Sequence, residues 1–144
     1  MNNAQQKVLT MKNFELTPDM LTMGGVFYPT GYAFVMFPDA RAAQQVARDL
    51  ESAPGTTGPV MFLSPAVVLK EVGKVEGESD VALPSVGTEG ATVRRYIDLA
   101  RKGHAALMVK LGSDEDAERV MIAARKVTFS YGQRYHLLAM EDLE

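Results

Sequence analysis

Apolar positions along the chain recur with two different periods, and the change from one period to the other marks its elements. Tyr32 to Phe37 is a run of aromatic and branched residues behind the turn signal Pro29-Thr30-Gly31, and reads as a strand. Val26 to Tyr28 either extends it or pairs with it as a hairpin. Pro38-Asp39 then opens a helix to about Leu50, with Ala43, Val46, Ala47 and Leu50 as its apolar stripe. The Pro54-Gly55-Thr56-Thr57-Gly58-Pro59 run breaks the pattern, a plain turn despite its GxxG spacing, and Val60 to Leu63 reads as a short buried strand. Ser64-Pro65 is a helix start, and that helix should stop near Gly73. Lys74 to Gly87 is rich in glycine, proline and acid and is expected to be a loop. Thr88 caps a further helix, striped by Val93, Tyr96, Ile97 and Ala100 and stopped by Gly103. Ala105 to Leu111 is a strand, Ser113 caps a helix whose first turns are acidic, and Val127 to about Leu138 is a last strand, with a break or bulge at Gly132 left open.

The order strand, capped helix, strand thus occurs twice. An offset of 74 residues superposes Val35 on Val109, Phe37 on Leu111, Ala43 on Ala117 and Val46 on Val120. Two βαβ halves most simply share one sheet, which predicts an α+β, ferredoxin-like sandwich: a four-stranded antiparallel sheet with helices on one face. The expected division is an N-terminal arm or tail over 1–24 and a single domain over 25–144, with a helical insertion at about 64–103. Within the arm, Thr17-Pro18-Asp19 can start one helical turn.

Alternation assigns the two central strands a set of side chains on each face. Ala33, Val35 and Phe37 with Ala105, Leu107, Val109 and Leu111 suit the helices. The other set comprises Tyr32, Phe34 and Met36 with His104, Ala106, Met108 and Lys110; Phe129, Tyr131 and Tyr135 of the last strand join it or point inward, depending on register. A second apolar face implies a covering. The candidates are a second copy of the chain or the N-terminal arm, and Tyr32, Phe34, Met36, His104 and Met108 are the expected interaction surface.

Composition narrows the chemistry. The chain has no cysteine, 47% hydrophobic and 23% charged residues and a formal net charge of −3. Disulfides, thiolate metal sites and cysteine nucleophiles are excluded, and no overall basic field favours nucleic acid or an anionic membrane. With no run near the roughly 20 apolar residues of a membrane span and no signal-peptide pattern, the expected setting is the cytoplasm, without a membrane partner. The methionines suit core gaps or an adaptable interface. Arg94, Arg95, Arg101 and Lys102 concentrate positive charge on the insertion helix.

Thr30 to Phe37 reads TGYAFVMF and resembles the RNP1 motif of RNA-recognition domains, with Thr30 replacing the basic residue. The resemblance implies Tyr32 and Phe34 as stacking aromatics for single-stranded RNA. Leu9 to Phe14 is a poor companion motif, because Thr10 stands where an aromatic is wanted, and the acidic balance disfavours phosphate binding. An enzymatic alternative, a small-molecule enzyme of the dimeric ferredoxin-like type, would draw on His104, His136, Tyr96 and Tyr135. The histidines lack metal-ligand spacing, and neither a nucleophile elbow nor a P-loop is present. The expectation is therefore a non-catalytic protein without cofactor or metal, associating with itself.

Three segments carry a wider likeness: GYAFVMFPDARAAQQVARDL, RRYIDLARKG and HAALMVKLGSDEDAERV. From Gly31 to Leu138 the element order resembles the ferredoxin-like domain of bacterial heat-induced or general-stress proteins, with Tyr96, Gly103, Val109, Asp114 and Ala117 in comparable places. The resemblance implies a stress-associated or regulatory role and brings no catalytic residues.

Overall fold

The structure is a computed structural model and describes residues 11–22, 25–52, 58–74, 88–137 and 139–144. The strands are β1 (Met11–Asn13), β2 (Tyr32–Phe37), β3 (Val60–Leu63), β4 (Ala105–Lys110), β5 (Tyr131–Tyr135) and β6 (Met140–Asp142). The helices are α1 (Ala40–Ser52), α2 (Pro65–Val67, continued by the π turn Val68–Val72), α3 (Thr88–Arg101) and α4 (Asp114–Lys126). A mixed sheet of six strands runs β1-β3-β4-β2-β5-β6. Its four middle strands are antiparallel; β1 joins β3 in parallel and β6 pairs antiparallel with β5.

Capping follows the sequence closely. Asp39 Oδ1 accepts the Ala42 N–H at the start of α1, and Ser64 Oγ accepts the Val67 N–H behind Pro65 in α2. In α4, Ser113 Oγ accepts the Asp116 N–H while the Asp116 carboxylate accepts the Gly112 N–H, a reciprocal closure of the helix start. α3 ends where Gly103, at φ +93°, lets the His104 and Gly103 N–H groups bond back to Leu99 and Ala100.

Three features depart from the sequence reading, and a fourth decides a point it left open. The sheet has six strands rather than four, because each outer edge gains a three-residue strand too short to show a period. β5 begins at Tyr131 rather than Val127: Val127 ends α4, and Thr128 turns the chain at φ +57°. Gly132 makes no bulge and pairs in register with Val35; its missing side chain leaves room for Leu143, whose Cβ would lie 3.2 Å from an added methyl. Finally, helices cover both faces of the sheet. α1 and α4 close one face over Ala33, Val35, Phe37, Leu107 and Val109. α2, α3 and the arm close the other.

The described part of the arm packs on this sheet: it supplies β1, a single 3-10 turn at Pro18–Met20 and the buried side chain of Met20, and Phe27 just beyond it is buried too. The expected loop beyond Lys74, the turn centred on Thr56 and the first ten residues lie outside the described residues.

Candidate interaction surfaces

Strand register brings the sequence-named face together. Phe34 stands opposite Met108, Met36 opposite Ala106 and Tyr32 opposite Lys110. Of the five residues expected to form an interaction surface, Phe34, Met36 and Met108 are wholly buried inside the chain, while Tyr32 and His104 are half-buried. Phe14, Leu16 and Met20 of the arm pack on this face, and α2 and α3 pack beside them. The Tyr96 ring lies over Phe34 at 4.2 Å between centroids and 33° between planes, with Phe27 edge-on to Phe34 at 5.5 Å. The ring face that the RNP1-like octamer would offer to a base is thus occupied by α3.

This layer contains its own polar chemistry. Tyr96 and Tyr135, both fully buried, share a hydrogen bond between their hydroxyls at 2.7 Å. Burial, then the neighbouring Tyr135, pushes the Tyr96 phenol well above its ordinary range, so it stays protonated. Tyr131 accepts a bond from Gln133 Nε2 at 2.9 Å, and Gln133 also donates to Asp142. Arg95 lies over the Tyr131 ring at 5.5 Å. Tyr96 and Tyr135, two of the enzymatic candidates, therefore do meet, but inside a packed layer. A pocket between residues 25–27, α2 and α3, lined by Phe27, Val72, Gly73, Val93 and Ile97, holds about 30 Å³, room for one water.

The two histidines stay apart, at opposite ends of β5. His104 Nδ1 meets Ser130 Oγ at 2.7 Å, and desolvation, then Lys102, lowers its pKa against the opposing pull of Asp39. His136 is exposed and meets Glu141 at 2.9 Å. No cluster of three or more His, Asp or Glu side chains able to hold a metal ion occurs among the described residues.

A larger cleft of about 490 Å³ separates α4 from the β5–β6 hairpin. Ala117, Met121 and Leu143 contribute its apolar lining. Arg134 crosses it to Asp114 at 2.8 Å, and Arg125 binds the Glu144 backbone oxygen at 2.6 and 3.0 Å and Glu118 at 3.3 Å. Its remaining walls carry His136 and Glu141. Sequence reasoning missed this cleft because β6 had no strand signal; the alternation of Met140 and Asp142 toward one face with Glu141 and Leu143 toward the other was the one available clue.

On the opposite face of the sheet, Arg94, Arg95, Asp98, Arg101 and Lys102 are exposed along and just beyond α3. No helix of the described residues is long and apolar enough to cross a membrane. No protein-family model, curated protein or solved structure matches this chain.

Proposed function

We propose that this chain is a non-catalytic, cytoplasmic association domain of the ferredoxin-like type, acting through contacts between copies of itself in a stress-associated or regulatory role. The strand order β3-β4-β2-β5, with α1 and α4 as the crossing helices of two βαβ halves, supports the ferredoxin-like reading. The likeness of Gly31 to Leu138 to general-stress proteins supports the role.

The observation that carries the proposal is how the polar groups are distributed. Those that sequence reasoning offered for catalysis are engaged with one another or with structural partners: Tyr96 with Tyr135, His104 with Ser130 and His136 with Glu141. Charged side chains lie exposed on the surface instead, Arg94, Arg95, Arg101 and Lys102 along and just beyond α3 and Asp114, Glu118 and Glu141 around the α4 cleft. Such a surface acts by meeting another surface.

Light scattering across a wide dilution series at low ionic strength tests this reading. It predicts a mass above that of one chain that falls on dilution. A single-chain mass at every concentration contradicts it.

A further inference from the structure

Resting on that reading of self-association, we infer that two copies join by exchanging β6, each laying its own β6 on the β5 edge of the other. The segment 139–144 is held by contacts that are specific but shallow. None of its side chains is buried. Its backbone pairs with β5 and continues to a bond from the Leu143 N–H to the Gly132 oxygen. Leu143 fills the space left by the missing side chain of Gly132, Gln133 donates to Asp142, His136 meets Glu141, and the Arg125 guanidinium donates to the Glu144 backbone oxygen. Between α4 and this hairpin lies the cleft of about 490 Å³ rather than a packed seam. A segment with so little buried apolar surface is among the first parts of a domain to open.

Once β6 opens, β5 presents a row of unpaired N–H and C=O groups, and such an edge recruits another strand. The strand that fits is β6 of a second copy, because it brings the same register, the same leucine for Gly132 and the same acids for Gln133 and His136. Exchange therefore reproduces the contacts of the closed hairpin, twice about a two-fold axis, and closes the assembly at two copies. The hinge is short and defined. Tyr28 donates its hydroxyl to the His136 oxygen at 2.7 Å, which ties the chain to the domain up to that point. The turn beyond is closed by one bond, from the His136 N–H to the Ala139 oxygen. Leu137 stands in that turn at 78% exposure, the most exposed large apolar side chain among the described residues. In the exchanged pair the two hinges pass each other at the axis, where Leu137 meets the second copy's Leu137. That burial is the contact exchange adds, and it favours two copies over one.

The chain has no cysteine, so a pair introduced across β5 and β6 reports which copy supplies β6. Gln133→Cys with Asp142→Cys puts two thiols at register partners, and circular dichroism establishes that the variant is folded. After oxidation at a concentration where the parental chain associates, a non-reducing denaturing gel should show a covalent pair of chains that reduction returns to single chains. Asp142→Cys alone should run as a single chain. Two further variants leave the β5–β6 pairing untouched. Leu137→Asp should raise the dissociation constant read by light scattering about tenfold or more, with urea unfolding at low concentration unchanged. Four glycines inserted after Leu137 relax the turn and should likewise shift the mass toward one chain. If the parental chain associates but the oxidised cysteine pair runs as a single chain with no free thiol, exchange is overturned while self-association stands. Association indifferent to both hinge variants overturns it in the same way. If the parental chain has single-chain mass at every concentration, both readings fail.

Discussion

On the α1/α4 face of the sheet, Val35, Leu107 and Val109 meet Val46, Leu50, Val120 and Ala124, mostly aliphatic or small side chains among which Phe37 is the fully buried ring and Met121 a buried thioether. On the opposite face Phe34, Met36 and Met108 meet Tyr96, Tyr135 and Phe27, rings and thioethers with hydroxyls among them. The first face is closed by helices that directly follow the strands they cover. The second is closed by segments far apart in sequence: an arm before β2, two helices between β3 and β4, and Tyr135 at the end of β5. Aliphatic packing tolerates small shifts in register, whereas a buried hydroxyl pair is satisfied at one register only. The Tyr96–Tyr135 bond thus fixes where α3 sits on an otherwise greasy surface.

The largest expected effects compare the two faces directly. Phe34→Ala removes the ring between Tyr96 and Phe27 and should cost about 3–5 kcal/mol; Leu107→Ala, on the aliphatic side, should cost about 2–5 kcal/mol. Urea unfolding should show both as losses of the whole domain's stability, since β2 and β4 belong to both cores. If Phe34→Ala left stability unchanged, the second face would not be a core.

Next in size is the junction of α2 and α3. An added methyl at Gly73 would stand 2.6 Å from Cγ1 of Ile97, so Gly73→Ala should cost about 1–3 kcal/mol through overpacking.

Tyr135→Phe should cost about 1–3 kcal/mol by removing the partner of the buried Tyr96 hydroxyl, and Tyr135→Phe combined with Tyr96→Phe should lose less than the two single variants together. The same pair has a pH signature. The folded chain holds the Tyr96 phenol well above its ordinary 10.0, so the unfolded chain ionises first. Stability should be complete below that pH and decline above it, and Tyr96→Phe should flatten the alkaline decline.

The smallest effect belongs to His104, whose folded-state pKa lies below the ordinary 6.5. The unfolded chain takes up this proton first as pH falls, so this contribution is complete above 6.5 and is lost as pH drops through the folded value. His104→Gln should flatten that acid limb, read as the slope of unfolding free energy against pH.

The same contrast explains what could be read in the sequence. Ala43, Val46, Ala47 and Leu50 declare the buried stripe of α1 because helix and strands are neighbours in the chain, and all four are buried. Ser64, Ser113 and Gly103 mark their helix ends by local chemistry alone. Alternation likewise assigned Phe34, Met36 and Met108 to a second apolar face. What covers that face was not legible, because the contacts of Tyr96 with Phe34 and Tyr135 join residues that no local period connects. β1 and β6, at three residues each, carry too few positions for a period to appear, and the cleft beside β6 was hidden with them.

The most direct measurement is the fold of the Phe34→Glu variant, followed by far-UV circular dichroism through a urea titration beside Tyr32→Glu. A carboxylate at a wholly buried position faces Tyr96 and Phe27 without a partner, so Phe34→Glu should lose the cooperative transition, while half-buried Tyr32→Glu should keep it. A Phe34→Glu chain that unfolds as cooperatively as the parent and differs only in solution mass would contradict the closed second face and return it to the role of an open interface.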